Sequence, residues 1–367
     1  MAVPFLDLRA PYLELRDEMD AAVRRVLESG WYLLGDEISA FESEWARYVG
    51  ARECIGLANG LDALRLGLEA LDVGEGDEVI VPSNTYIATW LAVTQVGATI
   101  VPVEPDPSTF NIDPNRIEDA ITPRTRVILP VHLFGQPAEM DAITEIAKRR
   151  SVRVLEDAAQ AHGARVRGRT IGGGDVIAWS FYPGKNLGAL GDAGGITTDD
   201  ADVADRVRVL RNYGSRIKYY NEVRGYNSRL DEMQAAILRV KLRHLDAWNA
   251  RRSDQAARYA RELGGTSIAL PEVPSWAQSV WHLYVVRTPK RDALKEHLAA
   301  NGIGTMIHYP VPPHHQAAYA DMNVPKDAFP IARAMACEAL SLPVGPHMTS
   351  EQQGAVIAAV REFDARG

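Results

Sequence analysis

The sequence predicts an α/β fold: a mostly parallel sheet flanked by helices, followed by a smaller C-terminal α+β domain. Three observations carry this. From about Glu53 to Thr198, short apolar runs alternate with segments of helical periodicity. The runs are apolar almost throughout, as expected of strands covered on both faces. Beyond about Pro271 the alternation gives way to another arrangement. A chain of 367 residues, 46% of them hydrophobic, suffices for one large domain and a smaller one. The division is expected at residues 1–248 and 249–367.

Two helical stretches come first, Leu13 to Ser29 and Glu37 to Tyr48, separated by the helix-breaking Gly30-Trp-Tyr-Leu-Leu-Gly35. The runs starting at Glu53, Glu78, Thr99, Arg126, Val152 and Val176 read as strands. Between them, Leu61–Leu71, Tyr86–Val96, Pro114–Ile121 and Met140–Arg150 read as helices. Ala201–Asn212 follows as a helix. A longer one is expected from Arg229 to about Trp248, opened by the cap spacing of Ser228-Arg-Leu-Asp231. In the last part, Trp281–Arg287 reads as a strand, Asp292–Ala300 as a helix and Thr305–Tyr309 as a strand. Helices from Ile331 and Ser350 end the pattern.

A net charge of −8 and the absence of a basic block disfavour nucleic-acid and anionic-membrane partners. Cys54 and Cys337 form no CxxC pair and read as two reduced, buried thiols of a cytosolic protein. The segment from Ala2 to Arg9 lacks the apolar core of a signal peptide, and no apolar run reaches membrane-spanning length.

The chemistry centres on Lys185, one of seven lysines. It follows Val176-Ile-Ala-Trp-Ser-Phe-Tyr and precedes a loop holding Gly188, Gly191, Gly194 and Gly195. A solvated lysine needs no such setting, whereas one that attacks an aldehyde needs a partly desolvated amine. Asp157 closes the strand that starts at Val152. It would serve as a helix N-cap, but a protonated pyridine nitrogen gives a better reason for an acid deep in a sheet. Lysine, strand-end acid and the Ser180 hydroxyl together match the needs of pyridoxal phosphate. Gln160 is placed to meet the ring oxygen. The turn at Asn59-Gly60-Leu61, between a strand and a helix, offers backbone N–H groups for the phosphate. Tyr86 opens a helix after a strand, where an aromatic can lie on the pyridine ring or simply pack in the core. His162 reads as a packed polar residue. His308, His314 and His315 match no common zinc spacing, so no metal is expected. Tyr182, His308 and Tyr309 are read as substrate contacts.

The runs Ser180-Phe-Tyr-Pro-Gly-Lys-Asn-Leu-Gly-Ala-Leu-Gly-Asp-Ala-Gly-Gly195 and Glu156-Asp-Ala-Ala-Gln-Ala-His-Gly163 resemble the sugar aminotransferases of the DegT/DnrJ/EryC1/StrS type. Gly76 to Ser83, Asn212 to Ser215 and Asn227 to Ala236 share that likeness, which extends from Pro4 to Pro346. The resemblance implies a pyridoxal phosphate enzyme of fold type I (aspartate aminotransferase-like), a homodimer with active sites shared at the interface. It implies that Lys185 is the Schiff-base lysine, Asp157 the pyridinium partner, Gln160 the ring-oxygen contact and Tyr86 the stacking ring. Gly60, Leu61 and Ser180 would bind phosphate, and Asn227 would reach the phosphate of the neighbouring subunit's cofactor. The wording around Ser180–Gly188 and His308-Tyr-Pro-Val-Pro is most similar to enzymes that aminate C3 of dTDP-linked 3-keto-6-deoxyhexoses with L-glutamate. A C4 aminotransferase of a nucleotide-linked 4-keto sugar, or a non-catalytic sensor on the same fold, are the alternatives.

Overall fold

The computed structural model describes residues 2–366. Helices α1 (Ala10–Glu14), α2 (Arg16–Ser29) and α3 (Asp36–Val49) precede the sheet. The start of α3 is fixed from afar. The buried Glu232 carboxylate accepts the N–H groups of Gly35 (2.7 Å), Glu37 (2.9 Å) and Ile38 (3.2 Å), placing negative charge at a helix N-terminus.

Seven strands form the central sheet: β1 (Glu53–Leu57), β2 (Glu78–Pro82), β3 (Thr99–Val103), β4 (Thr125–Ile128), β5 (Arg153–Asp157), β6 (Val176–Ser180) and β7 (Gly194–Thr198). Their order is β1-β7-β6-β5-β4-β2-β3. Every neighbouring pair is parallel except those made by β7, which runs antiparallel to β1 and β6. The connecting helices are α4 (Gly60–Ala70), α5 (Ile87–Gln95), α6 (Pro114–Ala120), α7 (Met140–Arg150) and, after β7, α8 (Ala201–Leu210).

Side-chain alternation along β6 shows how both faces are filled. Val176 and Ala178 join the apolar cluster built with α4, α5 and α8, while Ile177 and Trp179 join the one built with α3 and α7. Trp179 is fully buried, stands edge-on to Trp45 at 5.0 Å and donates its Nε1–H to Thr197 Oγ1 at 2.8 Å. Truncation leaves a cavity and removes the Trp179 donor, while the Thr197 hydroxyl keeps its bond to the Gly172 carbonyl at 2.8 Å. Trp179→Ala should therefore cost about 3–5 kcal/mol of unfolding free energy, read from urea titration.

The rest of the chain corrects the expected pattern in three places. The helix expected from Arg229 to Trp248 is two helices, α9 (Glu232–Leu242) and α10 (Leu245–Leu263), broken at Arg243-His244. The break lets α9 pack on α2 and α3 while α10 turns to pack on the last helix, α13 (Ser350–Ala365). The expected division at residue 248 falls inside α10. The strand expected at Thr305–Tyr309 is reduced to a single bridge between Met306 and Ser341. A continued strand would point the adjacent His308 and Tyr309 to opposite faces, whereas both line one cleft. The helix expected from Ile331 ends at Glu338 as α12 (Pro330–Glu338) and gives way to a strand, β9 (Ala339–Leu342). β9 pairs antiparallel with β8 (Tyr284–Arg287). Beneath that pair lie Tyr259 and Leu263 of α10, Leu294 and Leu298 of α11 (Arg291–Ala300), and Val356 and Val360 of α13.

Among the described residues no helix is long and apolar enough to cross a membrane.

Candidate active site

The carboxyl ends of β5, β6 and β1 converge on one cleft of about 720 Å³. β5 delivers Asp157, β6 delivers Ser180, and β1 runs through Asn59 into α4. Gly194 lies in register between Leu57 and Ser180, and a Cβ there would come within 2.3 Å of the Asn59 carbonyl. Only glycine lets the ends of β1 and β6 close up on either side of this position. A larger groove of about 1,280 Å³ opens around Gly172–Asp175. Its charges are largely spent on one another, with Arg153 on Asp175 and Asp200 and Arg169 on Asp141.

Lys185 is half-buried on the cleft wall. Desolvation lowers its amine pKa from 10.5 to about 8, against the opposing pull of the Asp157 carboxylate. Asp157 is buried, and its pKa is raised chiefly by that burial. Thr89 donates to its Oδ2 (3.0 Å) and the Ala159 N–H to its Oδ1 (3.1 Å), which fixes the carboxyl plane. Thr89 in turn pairs with Thr85 at 2.9 Å. The glycine-rich loop after Lys185 is held by Lys241, whose buried Nζ donates to the Gly188 carbonyl at 2.6 Å.

At the other end of the cleft, Asn59 caps α4. Its side chain accepts the Asp62 N–H (2.8 Å) and its carbonyl accepts that of Ala63 (3.1 Å). The amides of Gly60 and Leu61 have no protein acceptor among the described residues, and they lie at a helix N-terminus beside Ser180. A Cβ on Gly60 would sit 2.6 Å from Ser180 Cβ. An anion held between these amides and the Ser180 hydroxyl would be displaced by that methyl group. Gly60→Ala is thus expected to push the Gly60 turn and Ser180 apart and to weaken cofactor phosphate binding by about tenfold or more, measured by absorbance titration of the apoprotein.

Gln160 is oriented at both ends. Its Oε1 accepts the Phe134 N–H (2.6 Å) and its Nε2 donates to the Tyr309 hydroxyl (3.1 Å). Tyr309 and Tyr86 face each other at 5.4 Å, with 55% of Tyr86 left open to solvent. Tyr182 and His308 line the same cleft, and His308 Nδ1 meets Ser341 Oγ at 2.8 Å. Asn227 is exposed and lies outside the residues lining this cleft. His162 is enclosed by Trp45, Trp179 and Phe181, a packed polar ring as expected.

Sequence reading missed a second layer. Asn186 Nδ2 donates to Asn249 Oδ1 (2.9 Å) and to the Val280 carbonyl (2.9 Å), so its Oδ1 must face His282 Nδ1, at 3.1 Å. His282 therefore carries its proton on Nδ1 and keeps an acceptor lone pair on Nε2. Burial, aided by the Lys185 charge, holds its pKa well below 6.5. Asn249 Nδ2 completes the chain by donating to the His162 carbonyl at 2.8 Å.

A sequence profile described as the DegT/DnrJ/EryC1/StrS aminotransferase family matches residues 14–361. The chain belongs to that family. The chain is 57% identical over 363 residues to "Erythromycin biosynthesis sensory transduction protein EryC1" of Saccharopolyspora erythraea, covering 98% of this chain and 99% of that one. It is 56% identical over 366 residues to "dTDP-3-amino-3,4,6-trideoxy-alpha-D-glucose transaminase" of Streptomyces venezuelae, covering 99% and 97%. The crystal structure of S. venezuelae DesV in complex with a ketimine intermediate superposes with a TM-score of 0.99 at 56% identity, covering 100% of this chain and 99% of that one. DegT/DnrJ/EryC1/StrS aminotransferases depend on pyridoxal phosphate. The residues present suit that group. The cleft offers an amine with lowered pKa, a buried acid in need of a cation, two free helix-start amides beside a hydroxyl, and an open aromatic face.

Proposed function

We propose that this aminotransferase moves an amino group from L-glutamate to C3 of a dTDP-linked 3-keto-6-deoxyhexose. The observation that carries the reading is the pairing of a desolvated lysine and a buried carboxyl in one cleft, in a chain 56% identical to a dTDP-3-amino-sugar transaminase along nearly its whole length. Pyridoxal phosphate, when bound, supplies a carbonyl that exchanges between amines and a ring that withdraws electrons. The chain's own residues do the rest. Lys185 tethers the cofactor, and when released its amine takes and returns the proton at the carbon that gains or loses nitrogen. Asp157 stays ionised against the ring nitrogen, with its plane set by Thr89 and Ala159. Gly60, Leu61 and Ser180 hold phosphate, Gln160 meets the ring oxygen, and Tyr86 lies against the ring. Tyr182, His308 and Tyr309 contact the sugar.

The cleft serves a large domain of residues 1–248 and a small one of residues 249–367. Two copies pair, and each Asn227 reaches the partner's phosphate. Trp31 (63%), Tyr219 (84%) and Tyr220 (72%) are exposed aromatics that such a pairing would cover. The enzyme works in the cytoplasm.

The test is to incubate purified protein with L-glutamate and a panel of dTDP-keto-sugars, then locate the new amine by NMR. Nitrogen at C3 supports the proposal, and nitrogen at C4 replaces it with the C4 alternative. The sensory name of the Saccharopolyspora relative favours a second reading, a non-catalytic amine sensor. A sensor would bind the cofactor without passing its nitrogen to any sugar.

A further inference from the structure

Thr85 and Thr89 carry buried hydroxyls on either side of the start of α5, 3% and 0% exposed. Their spacing brings both onto one face. Thr89 Oγ1 lies 2.9 Å from Thr85 Oγ1 and 3.0 Å from Asp157 Oδ2. Proton counting fixes the direction of this chain. A hydroxyl has one proton to give, and an ionised carboxylate can only accept. Thr89 therefore gives its proton to Asp157, and Thr85 must give its own to Thr89. Each bond polarises the next, so the last donor is strengthened by the first. The Ala159 N–H covers the other carboxylate oxygen. Three titratable groups face this carboxyl from other elements: Lys185, His132 and Tyr309. Burial raises the Asp157 pKa, while the Ala159 and Thr89 hydrogen bonds and the charges of Lys185 and His132 oppose the rise. Burial also raises the pKa of the Tyr309 phenol, which stays neutral.

We infer that Thr85 and Thr89 are positioning residues acting in series, which hold Asp157 as an anion and so keep the ring nitrogen of the cofactor protonated. This rests on the aminotransferase reading. A carboxyl buried so deeply tends to take a proton itself, which would leave the ring without its charge. Hydrogen bonds given to the charged form reverse that tendency. Packing alone would make no use of these hydroxyls, because valine fills nearly the same volume as threonine.

The test uses Thr89→Val, Thr85→Val, the double variant and Thr89→Ser. Two readouts do not depend on turnover. Nitrogen NMR of protein loaded with labelled cofactor reports whether the ring is protonated, and carbon NMR of the cofactor-free protein follows the Asp157 carboxyl through its titration. Thr89→Val is expected to weaken cofactor binding about tenfold or more, to move the ring nitrogen toward its unprotonated signal and to raise the Asp157 pKa. Thr85→Val should move all three the same way by less. The double variant should match Thr89→Val, since a chain cut next to the acid has nothing upstream to lose. Thr89→Ser should restore the natural values. The inference is overturned if Thr89→Val leaves both NMR signals in place, if the two single effects add in the double variant, or if Thr89→Ser behaves like the valine. Should Thr89→Val fail to fold, Thr85→Val decides by the same two signals. The Asp157 titration needs no cofactor. Protein whose Asp157 responds to these variants but which never binds a B6 compound would sink the aminotransferase reading and leave the hydroxyl chain in place.

Discussion

Lys185→Ala is expected to lower turnover roughly 10⁴-fold or more, since one side chain provides both the covalent tether and the proton carrier. Lys185→Arg should not rescue it, because a guanidinium stays protonated and cannot exchange with an aldehyde. The loss should appear in both halves of the reaction, followed separately with glutamate and with keto-sugar. Unfolding midpoints of the cofactor-free protein should not fall, since the change removes an ammonium whose desolvation opposes folding. The pH dependence follows from the same amine. In the free protein its pKa lies near 8 rather than 10.5, so the neutral form grows as pH rises through 8. Between about 8 and 10.5 the unfolded chain holds a proton that the folded chain has released, so folding stability rises with pH across that window. Lys241 is also lowered to about 8 by burial and contributes with the same sign. NMR titration of the lysine Nζ signals, with Lys185→Met to assign them, checks both. An Lys185 amine titrating near 10.5 would contradict the desolvated site.

Asp157→Asn is expected to weaken cofactor binding on the order of 10²-fold and to depress turnover by at least as much, the scale seen when one partner of a buried pair is removed. The amide keeps the shape of the carboxyl, and its oxygen can still accept from Thr89 or the Ala159 N–H, but it brings no charge to a buried cation. A second readout moves independently. The Asp157 charge raises the Lys185 pKa, so its removal should take that amine below about 8. Unchanged cofactor affinity together with an unmoved Lys185 titration would mean that Asp157 only closes the turn at Ala159.

Much of the site was legible because it depends on local signals. A lysine among glycines, an acid closing an apolar strand and a turn between strand and helix are all visible within a few residues. The strand–helix alternation likewise placed six of the seven sheet strands, since strands covered on both faces are apolar throughout. β7 escapes the apolar-run signal because Gly194-Gly-Ile-Thr-Thr198 has little apolar bulk, and its two glycines serve close packing against β1 and β6. The break between α9 and α10 has no signature in the sequence, because composition does not change where the chain turns from one packing partner to another. Thr305–Tyr309 looked like a strand, but the demand that His308 and Tyr309 share a cleft bends it. The second layer was hidden for another reason. Asn186, Asn249 and His282 lie far apart in sequence, and nothing local shows that their amides and ring point in one direction. Thr89 left a fainter signal, one helical turn beyond Thr85 and three residues past Tyr86, on the face that meets Asp157.

The site stands or falls on which nitrogen holds the vitamin B6 aldehyde. Borohydride reduction of the purified protein, followed by peptide mass spectrometry, reads this directly. The expected result is one pyridoxyl phosphate adduct on Lys185 and none on the other six lysines. An adduct on a different side chain, or protein that carries no B6 compound at all, would contradict it.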